Sequence, residues 1–171
     1  KITFVEEDLL ETNLPQTPVE IEDEILSPTQ CVAKIEGLKF DKSPEEWVKK
    51  LNDCGMRSVN NIANVTNLIM LEYGQPLHAF DATTVKDELI NVRLATKEEE
   101  IVTLDGKLRK LEPTDIVLAD TEKPLDVAGV MGGKDTEIKE STNTILLSAS
   151  LFNPTMVRRT AKRLGLHSEA S

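Results

Sequence analysis

Residues 64–80, NVTNLIMLEYGQPLHAF, constrain the fold more than any other stretch of this chain. Asn64, Thr66 and Asn67 can cap and hydrogen-bond, while Val65, Leu68, Ile69 and Leu71 follow a helical apolar spacing. Gly74-Gln75-Pro76 stops that pattern and releases His78 between Leu77 and Ala79. A short helix followed by a turn is expected, and such a turn can bring Thr66 or Asn67 close to an imidazole that helical spacing alone would not align. The same letters are equally satisfied by a helix, a turn and a packed histidine.

Around this stretch the chain alternates helix and sheet signals. CVAKIEGLKF, from Cys31, reads as a half-buried strand near Val32 to Leu38. Ser43-Pro44-Glu45-Glu46 is a helix start, with Ser43 as cap and Glu46 placed to close a capping box. Trp47, Val48, Leu51 and Cys54 continue it as one apolar stripe that Gly55 can end. Ile90 to Ala95 reads as a strand, and Ile101 to Leu111 as two short strands joined by Asp105-Gly106, the composition favoured by a type I′ turn. Ile116 to Ala119, Leu125 to Ala128 and Ile145 to Leu147 complete the sheet candidates. Asn153-Pro154 starts a last helix with Met156, Val157, Ala161 and Leu164 on its apolar face and Gly165 as its stop. The fold class expected is α+β, a mixed multi-stranded sheet with packed helices.

A length of 171 residues suits one domain or two small subdomains. Only 4% of residues are aromatic against 39% hydrophobic, so aliphatic packing must carry the core. Residues 1–30, with Pro15, Pro18 and Pro28, read as an acidic linker or the edge of a preceding domain to which Ile2, Phe4 and Val5 can add a strand; residues 31–171 read as the domain proper.

The formal charge of −10 argues against a uniformly nucleic-acid-binding surface. Eight acidic residues against one lysine in residues 1–26 supply −7 of it, whereas Arg158, Arg159, Lys162 and Arg163 form a basic cluster near the other end. That cluster is either a solvated helix face or a contact for the phosphates of a polynucleotide. Cys31 and Cys54 are too few for a disulfide framework or a cysteine zinc site and are expected as small core residues in a reducing compartment. No signal-peptide pattern or membrane-length apolar run is present, so a cytoplasmic location is expected.

The chemistry available is modest. Two histidines, His78 and His167, offer no metal-site spacing with the acids, and no nucleophile elbow surrounds Ser148 or Ser150. Gly129-Val130-Met131-Gly132-Gly133-Lys134 lacks the spacing and the final Lys-Ser or Lys-Thr of a phosphate-binding loop. Its glycines permit close backbone approach, either to a ligand oxygen or simply within a tight connection between strands. Hydrolysis here would place water by hydrogen bonds or by His78 as a base, which suffices for an activated ester and is poor for an amide.

GMRSVNNIANVTNLIMLEYGQPLHAFD, LDVAGVMGG, NTILLSASLFNP and RRTAKRLGLHSEAS occur in an order and spacing that resemble the B3/B4 region of bacterial phenylalanine–tRNA ligase beta chains, over residues 31–171. The resemblance implies a B3/B4-like fold within an alpha2beta2 enzyme. It also implies partnership with the alpha subunit and tRNA(Phe), no membrane, aminoacylation with ATP and magnesium in the alpha subunit, and no cofactor in this portion. The activity implied for the region itself is hydrolytic editing of tyrosine wrongly attached to tRNA(Phe). Carried onto this sequence, Thr66, Asn67 and His78 match catalytic pocket positions. Gly129 and Gly132 match its backbone lining, Ser168 a pocket hydroxyl, and Ala170 the small residue that leaves room for an aromatic ring. Ser148 departs from the pattern, standing where the family commonly has a glutamate that recognises the tyrosine hydroxyl, and Glu169 is the nearest substitute in the C-terminal motif. The competing readings are a non-catalytic structural or tRNA-contacting module with a degenerate pocket, and a free-standing deacylase, which the cut look of both chain ends disfavours.

Overall fold

The computed structural model describes residues 17–166, and the expected strand at Ile2, Phe4 and Val5 lies outside them. Aliphatic runs of two kinds build its sheets. Ile116–Ala119 (β7), IVLA, is a continuous apolar run because it is buried on both faces. Ile116 and Leu118 enter one cluster with Phe80, Ile90, Val92 and Leu146, while Val117 and Ala119 enter a second with Val127, Val157 and Ala161. β7 is therefore the middle of a layered structure.

The sheet containing β7 has five strands. Val19–Ile21 (β1) pairs in parallel with Ile90–Leu94 (β4), and the order continues antiparallel through β7, Pro124–Val127 (β8) and Met131–Gly132 (β9). A second, antiparallel sheet has Thr144–Leu151 (β10) between Thr29–Glu36 (β2) and Leu77–Asp81 (β3). The first cluster lies between these sheets, and burying side chains such as Phe80, Ile90 and Leu146 there contributes about 1.5–3 kcal/mol each. On the far face of the five-stranded sheet lie the hairpin Glu100–Val102 (β5) with Leu108–Lys110 (β6), and the helix Pro154–Leu164 (α3). Two helices, Glu45–Asp53 (α1) and Asn61–Tyr73 (α2), pack on each other, and α2 lies against β3. This is the α+β mixed-sheet architecture expected. Residues 17–30 contribute β1 and bury Leu26 and Ser27.

The helix ends depart from the sequence reading. Ser43 makes no cap; its hydroxyl accepts from the side-chain amide of Asn64 at 2.6 Å, and that amide also donates to Ser58 Oγ at 2.7 Å. Asn64 Oδ1 accepts from Val59 N at 3.0 Å, so this fully buried amide ties the starts of both helices together from inside α2. The cap of α2 is Asn60, whose Oδ1 accepts from Ala63 N at 2.8 Å. Gly74, at φ 71°, ends α2 as expected, and Asn153 caps α3 by accepting from Thr155 N and Met156 N.

The β5–β6 connection forms no type I′ turn. Gly106 N donates to Thr103 O, Thr103 N donates to Lys107 O, and Gly106 alone of the central pair takes positive φ, at 77°. That is a type I turn closed by a glycine bulge, and Asp105 adopts it because its carboxylate accepts from Thr103 Oγ1 and Lys107 N. Both cysteines are exposed rather than core: Cys54 follows the last residue of α1, and Cys31 pairs with Ala149, alternating with the inward Val32.

Candidate functional site

His78 lies in β3 rather than on the turn before it, because the chain extends immediately after Gly74 and Pro76. Its ladder partner in β10 is Ser148, and opposite residues in a ladder share a face. Phe80, two residues on, meets the imidazole edge-on at 4.6 Å between ring centres and 68° between planes. The floor beneath the imidazole is Gly132. A Cβ there would lie 2.6 Å from His78 Cε1 and 2.8 Å from Nε2, so this close approach requires glycine.

The glycine-bearing loop carries β8 into β9 by a turn in which Val130 N donates to Val127 O and Gly129 sits at φ 67°. Gly133 N donates to Leu125 O. These two N–H groups are spent inside the fold, and at Gly132 the loop provides close approach. A cavity of about 150 Å3 opens between the sheets, lined among others by His78, Asp126, Gly129, Gly132, Ser148 and Ser150. A void of this size accepts a benzene ring. An adjoining groove shares Gly129, Ser150 and Phe152 with it and runs along α3 past Arg158 and Lys162. Arg163 is directed elsewhere, pairing with the buried Asp115 and with Glu112.

The polar groups of the cavity are unequally satisfied. Ser148 Oγ accepts from Gln30 Nε2 at 2.8 Å and shares a hydrogen bond with Ser150 Oγ at 3.1 Å. Asp126 is 5% exposed; its Oδ2 is 3.8 Å from His78 Nε2, beyond hydrogen-bond length, and its Oδ1 has no partner among the described residues. Burial pushes the Asp126 carboxyl above the usual carboxylate range, with the nearby imidazole opposing. Ser148 makes no bond to His78 among the described residues, so the pair has no serine-nucleophile geometry.

Of the sequence candidates, the structure brings together His78, Gly129, Gly132 and Ser148. Thr66 and Asn67 are on α2 and do not line this cavity; Thr66 Oγ1 donates back to Ala63 O at 2.8 Å within its own helix. Ser168, Glu169, Ala170 and His167 lie outside the described residues. Asp126 was missed in the sequence, where it is the one charged residue in an otherwise apolar run, LDVAGVM. An acid there with no basic neighbour was the available signal. Among the described residues no group of three His, Cys, Asp or Glu is arranged to hold a metal ion, and no helix is long and apolar enough to cross a membrane.

The B3/4 domain model matches residues 26–171. The phenylalanine–tRNA ligase beta subunit of Geobacter sulfurreducens is 43% identical over 174 aligned positions, covering 100% of this chain and 22% of the relative. That of Aquifex aeolicus is 48% identical over 153, covering 90% and 20%. The chain thus spans about a fifth of the length of these relatives. In shape it is similar to a crystal structure of an N-terminal fragment of the phenylalanyl-tRNA synthetase beta subunit from Pyrococcus horikoshii. There the TM-score is 0.59 at 16% identity, covering 88% of this chain and 50% of that one. With the domain model matched over residues 26–171, this chain belongs to the B3/4 domain family.

Proposed function

We propose that this chain is the editing portion of a phenylalanine–tRNA ligase beta subunit, and that its cavity hydrolyses tyrosine wrongly esterified to tRNA(Phe). The observation carrying this reading is the ring-sized cavity lined by His78 and the buried Asp126, which adjoins a groove edged by Arg158 and Lys162. The aromatic side chain enters the cavity, and the ester and the tRNA end lie along the groove, where the two cations meet phosphate. His78 orients water or accepts its proton as the water oxygen bonds to the ester carbonyl carbon. The carbon–oxygen bond to the terminal ribose then breaks, and the ribose oxygen takes a proton. An ester is activated enough for this without a covalent enzyme intermediate.

In the same proposal the domain works in the cytoplasm within an alpha2beta2 assembly with the alpha subunit. ATP and magnesium serve aminoacylation in that subunit, Thr66 and Asn67 contribute to the editing pocket from α2, and Ser168 and Ala170 belong to its substrate-binding residues. The complete enzyme supplied with tyrosine, ATP and tRNA(Phe) should accumulate Tyr-tRNA(Phe) when His78 is alanine and not when it is histidine. Equal accumulation by both enzymes would reject the proposal.

Ser148, at the position where the resemblance places a glutamate, favours a second reading in which the module is kept for architecture or tRNA contact. In that case neither enzyme would remove tyrosine.

A further inference from the structure

Asp126 is the polar residue of the cavity that the fold does not use. Its place in β8, opposite Leu118 and Gly132, is one where an aliphatic side chain would pack without loss, yet it holds a carboxyl with one oxygen unpartnered among the described residues. The carboxyl and the imidazole of His78 both line the ring-sized void, and the imidazole lies directly over Gly132. The hydroxyl of Ser148, across the same void, already has Gln30 and Ser150 as partners.

The geometry points to Asp126 as the specificity-determining residue of this cavity, its carboxyl receiving the hydroxyl of a hydroxylated aromatic side chain seated between His78 and Ser148. This inference rests on the editing proposal for the reaction and goes beyond it in naming the discriminating group. An aryl hydroxyl supplies a partner to a carboxyl that has none among the described residues, meeting it at Oδ2, the oxygen beside His78, whereas an unsubstituted ring would seal the carboxyl against an apolar edge with nothing to pair with it. A site built to pair with a hydroxyl rejects the analogue without one far more strongly than an apolar pocket can. Burial raises the carboxyl's pKa, so the group can meet the phenol as acceptor when ionised or as donor when protonated. The selective carboxyl therefore comes from β8, not from β10 where Ser148 stands.

The test uses the complete phenylalanine–tRNA ligase carrying this chain, with wild type, Asp126→Ala, Asp126→Leu, Asp126→Asn and Ser148→Ala compared. Hydrolytic kcat/KM is measured on Tyr-tRNA(Phe) and Phe-tRNA(Phe), and equilibrium binding on tyrosinamide and phenylalaninamide. Asp126→Ala and Asp126→Leu should lower the Tyr-over-Phe ratio at least tenfold through the tyrosyl arm alone, Asp126→Asn should keep part of it, and Ser148→Ala, which alters the wall met by either ring, should change both esters alike. Leucine fills the space of aspartate without a polar atom, so it carries the comparison if the alanine variant melts below the assay temperature. An unchanged ratio in Asp126→Leu overturns the inference, and so does an equal loss on both esters, which would place Asp126 behind His78 as a positioning residue. If the wild type hydrolyses neither ester, the editing proposal fails and the amides decide: a tyrosinamide preference lost in Asp126→Leu supports the inference, and no preference in the wild type overturns it.

Discussion

The imidazole of His78 rests on the α-carbon of Gly132 so closely that a methyl group on that carbon would lie 2.6 Å from Cε1. The obstructing atoms belong to a side chain that can swing away, so Gly132→Ala should cost little stability and move the ring. Displacing a catalytic group by about 1 Å costs on the order of 100-fold in rate, and that loss should appear in single-turnover ester hydrolysis. Gly133→Ala gives the opposite result. Its Cβ would lie 2.5 Å from the backbone oxygen of Leu125, which cannot swing, and overpacking of this kind costs roughly 1–3 kcal/mol in thermal or urea unfolding.

Asn64 should prove a fold residue despite opening the stretch that first suggested a site. Replacing this fully buried amide by alanine removes its bonds to Ser43, Ser58 and Val59 and leaves the Val59 N–H without its partner. A loss of about 2–4 kcal/mol is expected from three such bonds, read as a shift of the urea midpoint.

The acid limb of stability should depend on Asp81. Burial alone would raise its pKa, but Thr142 Oγ1 at 2.5 Å, Thr83 Oγ1 at 2.6 Å and Thr83 N at 3.0 Å donate to it and hold it below the usual carboxylate range. Because the folded value lies below the unfolded one, the stabilisation is present above the unfolded pKa, near 3.9, and is lost as pH falls through the folded value. Thr142→Val should therefore destabilise by about 1.5–3 kcal/mol at pH 7 and by progressively less below about pH 4. Thermal melts across that range check it. Glu99, held low by Arg93 and Thr96 N against its own burial, acts in the same direction and is left intact by this variant.

The basic residues of α3 separate into two roles. Arg158→Ala with Lys162→Ala should raise KM for aminoacyl-tRNA and leave kcat near its wild-type value. The salt dependence of log binding should flatten by about 0.7 for each phosphate no longer neutralised, as for a single strand. Arg163→Ala should instead destabilise the fold by about 1.5–3 kcal/mol, because it takes the guanidinium from the carboxylate of Asp115, which is 1% exposed and keeps only Thr160 Oγ1 and Glu112 N as donors.

The elements set by strong local chemistry were legible in the sequence. Gly74 and Gly165 stop their helices, Asn153-Pro154 starts α3, and the β7 run announces a central strand. What the letters did not show were choices among competing partners. Ser43 had cap chemistry but was claimed by Asn64; Asp105 had turn chemistry for two turn types, and Thr103 decided between them. Of the cavity, His78 was legible from its place just after the Gly74-Gln75-Pro76 turn, and Gly129 and Gly132 through the family resemblance. Asp126 was hidden because its significance comes from what does not bond to it in three dimensions, of which the sequence shows only a lone acid in an apolar run.

The most direct measurement is the hydrolysis of purified Tyr-tRNA(Phe) and Phe-tRNA(Phe) by the complete enzyme, wild type and His78→Ala, with melting temperatures taken on the same preparations. His78 is a third exposed at its side chain and its edge contact with Phe80 is worth only about 0.5–1.5 kcal/mol, so the variant should stay folded. The wild type should cleave the tyrosyl ester in preference to the phenylalanyl ester. His78→Ala should lose about 100-fold or more of that rate, the usual contribution of a positioned acid–base group. A folded His78→Ala enzyme that cleaves Tyr-tRNA(Phe) at the wild-type rate would contradict the account.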